Sequence, residues 1–200
     1  MPTEDRIARV TGVLSRRQPD LRVVLERITN THNANAVLRT CDAAGILHID
    51  LIGPEAEPFL INKAITTRAD KWLDLHYHAS TAACLGSLRE MGFQIAVTCL
   101  APDAIDYTEL DYAKPTAVVF GNESDGVSPE ALALSDIRIR IPMLGMAQSL
   151  NLSVSAGVIL YEALRQRRAK GFFDGSRLSP ADFEAYAARW LAPPEKDEGK

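Results

Sequence analysis

Short runs of β-branched and aliphatic residues recur along this chain, and longer stretches with helical spacing separate them. That alternation constrains the fold more than any other feature. Runs so short and so apolar suit strands of a parallel sheet buried on both faces, and the intervening helices supply the cover. The candidate strands are Arg22 to Ile28, Ile46 to Ile52, Leu73 to Tyr77, Gln94 to Thr98, Ala117 to Gly121 and Ile137 to Ile141. Helical patterns fall at Arg6 to Arg16, Asn35 to Ala44, Pro58 to Thr67, Thr81 to Met91, Pro129 to Ala133 and Leu150 to Arg168. Ser128-Pro129 and Ser179-Pro180 each set a capping hydroxyl before a proline suited to the first helical position, and the second pair opens a last helix, Pro180 to Trp190. The fold class expected is α/β, a mostly parallel sheet covered on both faces with flanking N- and C-terminal helices.

A chain of 200 residues, 46% hydrophobic and 24% charged, can bury one core of globular type, so a single domain is expected. No stretch reaches the roughly 18 apolar residues of a membrane span. Met1 to Arg17 alternates charges where a secretory signal would be apolar, which predicts a cytoplasmic protein with no membrane partner. Cys41, Cys84 and Cys99 are odd in number, far apart and without zinc-type spacing; they read as small buried residues, with neither disulfide nor metal expected. His76 and His78 share one face of a strand and read as surface residues.

The net charge of −4 argues against a surface that grips nucleic acid everywhere. Its distribution says more. Arg6, Arg9, Arg16, Arg17, Arg22 and Arg27 crowd the N-terminal segment, and Arg165, Arg167, Arg168, Lys170 and Arg177 crowd the end of the long helix, while Glu195, Asp197 and Glu198 make the tail acidic. Such clusters either track phosphates or serve as solvated helix faces and as cations at a helix C-terminus.

Several chemistries lack their motifs. No G-x-G-x-x-G follows a strand and no G-x-x-x-x-G-K-[ST] is present, which removes the usual support for dinucleotide and triphosphate binding. A serine nucleophile elbow does not fit Gly121-Asn122-Glu123-Ser124-Asp125-Gly126, and no second acid is marked out to pair with Glu123 for glycosidic cleavage. What remains is three polar loops at strand ends, where open α/β sheets bind ligands. The first, Thr29 to Gly45, puts Asn33 near a helix start and Arg39 about one and a half turns on, within reach of a ligand or of an ion pair with Asp42. In the second, Gly121 and Gly126 permit close backbone approach and flank Glu123. The third runs Ile141-Pro142-Met143-Leu144-Gly145-Met146-Ala147-Gln148-Ser149-Leu150-Asn151-Leu152-Ser153-Val154-Ser155-Ala156. Ser149, Asn151 and Ser153 there place three hydrogen-bonding side chains at a helix start that needs one cap.

Together, Asn33 to Thr40, Gly121 to Gly126 and Ile141 to Ala156 resemble, in order, the N-x-x-A-x-x-R-T, G-[NQ]-E-x-x-G and I-P-M-x-G-x-x-x-S-L-N-[VL]-S-[VA] motifs of the SpoU branch of the SPOUT RNA methyltransferases. The likeness covers roughly Leu21 to Arg168. It implies a C-terminal deep trefoil knot, which periodicity does not show and which departs from the rule that chains avoid threading. On that basis residues 1–20 form a basic helix, 21–170 a knotted catalytic core and 171–200 a C-terminal helix and tail. The family works as a homodimer, with S-adenosyl-L-methionine as cofactor and RNA as substrate. Arg16-Arg17-Gln18-Pro19-Asp20-Leu21 and the Thr31-His32-Asn33 approach are most similar to members that methylate the 2′-OH of a guanosine in the tRNA D-loop. Ribosomal RNA, the anticodon loop, or a non-catalytic RNA-binding knot are the alternatives.

By the same resemblance, backbone at Thr98, Gly121, Ile141 and Leu150 holds the cofactor, with Leu100 and Met146 as apolar walls. Arg39 is the central catalytic residue. A guanidinium of pKa above about 12 is a poor base, so phosphate anchoring and charge stabilisation suit it better than proton abstraction. Glu123, Ser149, Asn151 and Asn33 match positions that shape the site, bind RNA or orient Arg39. Arg9, Arg16, Arg17 and Arg168 are expected to contact tRNA phosphates. No metal and no covalent intermediate is implied.

Overall fold

The computed structural model describes residues 2–53 and 69–193; the candidate helix Pro58 to Thr67 and the acidic residues Glu195, Asp197 and Glu198 lie outside them. In chain order the strands are β1 (Leu21–Glu26), β2 (His48–Ile52), β3 (Asp74–His78), β4 (Gln94–Thr98), β5 (Ile105–Asp106), β6 (Thr116–Phe120) and β7 (Ile137–Arg140). They form one sheet, ordered β3-β2-β1-β6-β4-β7-β5, in which every pairing is parallel. Among the described residues the α-helices are α1 (Glu4–Leu14), α2 (Thr31–Ala43), α3 (Thr81–Glu90), α4 (Pro129–Leu134), α5 (Leu152–Ala169) and α6 (Pro180–Leu191).

The central strands have no polar face because both sides are covered. All residues of β1 and β6 are buried. On one side Val23, Leu25, Val118 and Phe120 meet Val37 and Leu38 of α2 and Ala156, Ile159 and Leu160 of α5. On the other, Val24, Ala117, Val119 and Val97 meet Leu85 and Leu88 of α3 and Ala131 of α4. A third, smaller core joins Val10 and Leu14 of α1 to Leu47 and Trp190 of α6, so the two terminal helices cover the sheet where its strands begin. No helix among the described residues is long and apolar enough to cross a membrane.

Local chemistry explains where the elements depart from the periodicity. The first strand stops at Glu26, short of the expected Ile28, because Arg27 takes a left-handed φ of 54°. The second helix starts four residues before Asn35, since Asn30 Oδ1 accepts from the backbone N–H groups of His32 and Asn33. Asn151 lies outside α5 as its cap, accepting from Ser153 N at 2.8 Å, and Ser149 precedes the helix entirely. Two residues long, β5 is too short to leave a period, and it was not expected.

Two surface expectations fail away from the cleft. Arg17 is fully buried: its guanidinium pairs with Asp42, donates to the Ile46 carbonyl at 2.7 Å and stacks over the Trp190 ring, so it is not an RNA contact and Asp42 is not a partner of Arg39. Arg167, one of the C-terminal basic cluster, is equally buried and donates to Asp20 Oδ1, Gln18 Oε1 and the Tyr112 carbonyl. His76 and His78 are half-buried and partnered, His76 by Arg22 and His48, His78 by Asp50. Burial, with Arg22 beside it, holds His48 down at about 4 and His76 below the usual imidazole value. Cys41 and Cys84 are buried and Cys99 partly so, all three free.

Candidate functional site

At the carboxyl ends of β4, β6 and β7 three loops converge on the start of α2 around a cleft of about 790 Å3. The loop after β4 contributes Thr98, Cys99 and Leu100; the loop after β6 contributes Gly121 to Val127; the segment after β7 contributes Ile141, Met143 and Gln148 to Leu152. Thr98 lines the cleft with its hydroxyl donating to the Val119 carbonyl at 3.1 Å.

Gly121 is required sterically. A Cβ there would lie 2.1 Å from Gly126 C and from Val127 N, a collision with backbone that no side-chain adjustment relieves. The loop folds back on itself tightly at this point, with Gly126 N donating to the Asn122 carbonyl at 2.8 Å and Gly126 in the left-handed region at φ 70°. Asn122 pins the loop to the end of β1, since its Nδ2 donates to the Arg27 carbonyl at 2.9 Å while its Oδ1 accepts from Ser124 N.

A chain of side-chain bonds then joins the three polar loops. Asn151 Nδ2 donates to Asn33 Oδ1 at 3.0 Å, and Asn33 Nδ2 donates to Glu123 Oε1 at 3.1 Å. Asn33 is 9% exposed, so its amide is fixed by these two partners, and Glu123 is exposed with Oε2 taking no bond from the described residues. A carboxylate held from one side and open on the other can accept from a ligand hydroxyl or ammonium.

Of the residues expected in the site, Asn33, Glu123, Ser149, Asn151, Thr98, Leu100, Gly121, Ile141 and Leu150 line the cleft. Two do not. Met146 is fully exposed and does not line the cleft, and Arg39 stands exposed on α2 away from the cleft lining. Arg9, Arg16 and Arg168 are exposed, as a phosphate contact requires. Residues missed in the sequence include Asn30, which caps α2 and lines the cleft, and Gln148. The Asn30-Thr31 step carries a cap-then-helix pattern that points to the earlier helix start; nothing local marks Gln148.

The family model described as SpoU rRNA methylase matches residues 20–161. A tRNA (guanosine(18)-2′-O)-methyltransferase of Thermus thermophilus is 48% identical over 189 residues, covering 94% of this chain and 97% of that protein. The crystal structure of an A. aeolicus TrmH/SpoU tRNA modifying enzyme superposes with a TM-score of 0.89 at 41% identity, over 94% of this chain and 95% of that one. An AdoMet-bound rRNA methyltransferase from Sinorhizobium meliloti is similar at 32% identity and a TM-score of 0.64, over 80% of this chain and 60% of that one. With three motifs joined in one cleft and the family model spanning most of its length, this chain belongs to the SpoU methylase family.

Proposed function

We propose that this chain transfers a methyl group from S-adenosyl-L-methionine to the ribose 2′-OH of guanosine 18 in the D-loop of tRNA. One observation carries the reading: the bonded chain Asn151–Asn33–Glu123 draws all three family motifs into one cleft, in a protein whose relative of that named activity matches nearly end to end. The residues present fit the cofactor. Gly121 removes the side chain that would fill the cradle, Leu100, Ile141 and Leu150 offer apolar walls to an adenosine, and the open oxygen of Glu123 suits a hydroxyl or an ammonium.

When bound, the cofactor supplies an electrophilic methyl group on a sulfonium. The chain contributes positioning, which is the larger part of the barrier in such a transfer. Ser149 and Asn151 at the start of α5 present donors to RNA or cofactor oxygens, and Glu123 holds a ligand hydroxyl in place. Arg39 anchors an RNA phosphate and stabilises charge. The transfer calls for no metal.

The enzyme works as a homodimer in the cytoplasm. Leu144, Met146, Leu150, Val154 and Tyr161 leave an apolar surface bare along the third loop and α5, and a second copy covers it. Arg39 lies one residue from Thr40, which packs beside Gly157 of that same helix, so an arginine outside its own cleft serves the cleft of the other copy. The chain is one domain with a knotted core over residues 21–170. The strand order supports a knot: β6 sits between β1 and β4, β7 lies beyond β4, and α5 then packs on α2.

The test incubates purified protein with labelled S-adenosyl-L-methionine and unmodified tRNA, beside Arg39→Ala, and maps the product by nuclease digestion and mass spectrometry. 2′-O-methylguanosine in the D-loop, lost in the variant, is expected. Transfer to ribosomal RNA fragments in place of tRNA would overturn the substrate assignment, and cofactor binding without transfer to either would overturn the enzymatic one.

A further inference from the structure

Away from the cleft, at the β3 edge of the sheet, a second group of polar side chains lies under α3. Asp50 of β2, His78 of β3 and Cys84 of α3 bring a carboxylate oxygen, an imidazole nitrogen and a thiol sulfur within 4.8 Å of one another. None of the three lines the cleft. We propose that Asp50, His78 and Cys84 bind one zinc-type divalent cation, which fastens α3 to the edge of the sheet.

The Asp50 side chain is 1% exposed, and such a carboxylate needs close partners to offset its lost hydration. It is underserved here. Oδ1 meets His78 Nε2 at 2.7 Å, whereas Oδ2 has no hydrogen-bond partner among the described residues and only an ion pair with Arg22 Nη1 at 3.4 Å. A cation held on this carboxylate fills that deficit, and Arg22 remains as the outer partner that ligating carboxylates usually have.

The donor set selects the metal. Magnesium and calcium take oxygen ligands almost exclusively, while one oxygen, one nitrogen and one sulfur suit a borderline-soft ion in tetrahedral coordination. Zinc bond lengths put neighbouring ligand atoms about 3.3–3.6 Å apart, inside the 4.8 Å span of this group, and the 2.7 Å hydrogen bond between His78 and Asp50 opens as both turn to the metal. His78 Nε2 ligates as the unprotonated nitrogen with the ring proton on Nδ1, and the Cys84 thiol gives its proton to solvent as the metal–sulfur bond forms. The side chain of His78 is 19% exposed, which leaves the fourth position to water.

A neighbouring group on the same face, His48, Asp74 and His76, also has metal-ligand spacing, but its acceptors are already engaged. Tyr186 and Arg189 bond the two oxygens of Asp74, and Arg22 Nη2 lies 3.2 Å from His76 Nε2.

The experiment adds equimolar Co2+ to untagged, metal-stripped full-length protein, records the absorption spectrum, and measures zinc retained through gel filtration in a parallel sample. The expected result is one equivalent of zinc retained, with a thiolate-to-cobalt charge-transfer band and visible bands of tetrahedral intensity. Cys84→Ser and His78→Asn should each weaken retention at least tenfold, with circular dichroism reporting whether they fold, and His48→Asn should leave the spectrum intact. Folded wild-type protein that retains no metal, or binds cobalt without the thiolate band, overturns the site whatever the variants do. Loss of binding in His48→Asn but not in Cys84→Ser moves the metal to the neighbouring group and overturns it equally.

Discussion

Where the strands begin, Arg17 and Arg167 are fully buried and bonded to carbonyls and carboxylates; where they end, Glu123 and Ser149 stand exposed around a cleft and Arg39 stands bare on the helix that borders it. The first region spends its polar groups on one another. Arg167 alone donates to Asp20 through Nη1 and Nη2, to Gln18, to the Tyr112 carbonyl and to the Lys114 carbonyl, which ties α5 to the turn before β1 and to the segment before β6. The second region keeps groups in reserve, with one fixed amide at its centre and open oxygens around it. Charge in the sequence does not separate the two regions. Partner count and burial do: Arg167 has its Nε, Nη1 and Nη2 all bonded, and Arg17, with only Nε unbonded, is sealed under Trp190, so neither guanidinium can reach a substrate.

Substitutions in each region should therefore fail in different assays. The largest effect expected is on stability: Arg167→Met leaves Asp20 and two carbonyls short of partners in a buried setting and should lower unfolding free energy by about 3–5 kcal/mol in urea titration. A small change would mean that this end is less tightly closed than its geometry implies. Next comes Gly121→Ala, which forces the β6 loop apart and should reduce tRNA methylation by about 100-fold or more, with cofactor binding lost in calorimetry. Asn33→Ala removes both links of the amide chain and should reduce kcat/KM about 10- to 100-fold, while the unfolding free energy drops by no more than about 2 kcal/mol. If that substitution acted through stability alone, the contrast between the two regions would collapse.

A pH experiment sharpens the same contrast. Burial alone would raise the Asp20 carboxyl, but bonds from Arg167 and Arg177 outweigh it and hold the group below its ordinary value. A depressed carboxyl stabilises the folded state above the unfolded value of about 4, and that contribution disappears as pH falls through the lower folded value. The melting temperature should decline below about pH 4, and Asp20→Asn should start lower and decline less. The smallest effect belongs to the exposed arginines: Arg16→Glu should weaken tRNA binding a few-fold at low salt and leave the melting temperature unchanged, with the difference shrinking as salt rises. Arg17→Glu, the adjacent residue, should instead unfold the protein.

Much of the scaffold was legible because strand and helix periods survive in residues such as Val23, Val24, Val118 and Val119, whose apolar side chains face two covered surfaces. The cleft was legible for a different reason: glycines, caps and polar side chains at strand ends carry backbone requirements that show locally, as at Gly121 and Asn151. What the sequence hid was pairing across distance. Arg16 and Arg17 are neighbours of the same type, and only the packing of α6 against α1 distinguishes the bare one from the one under Trp190. His76 and His78 looked like a polar strand face because their partners, Arg22, His48 and Asp50, come from two other strands. Arg39 was placed at the ligand by its distance from Asn33 along the helix, yet its direction around the helix takes it out of its own cleft.

The amide at Asn33 also bears on when, during its manufacture, this protein becomes competent. Its two partners lie 90 and 118 positions away along the chain, so the bridge has no local precursor. A polypeptide still being synthesised has the sheet's first strands and Asn33 long before Glu123 emerges, and it must extend past Asn151 before the third loop can close the pocket. Competence therefore comes late and all at once, and no truncated product that ends before that loop carries a usable site.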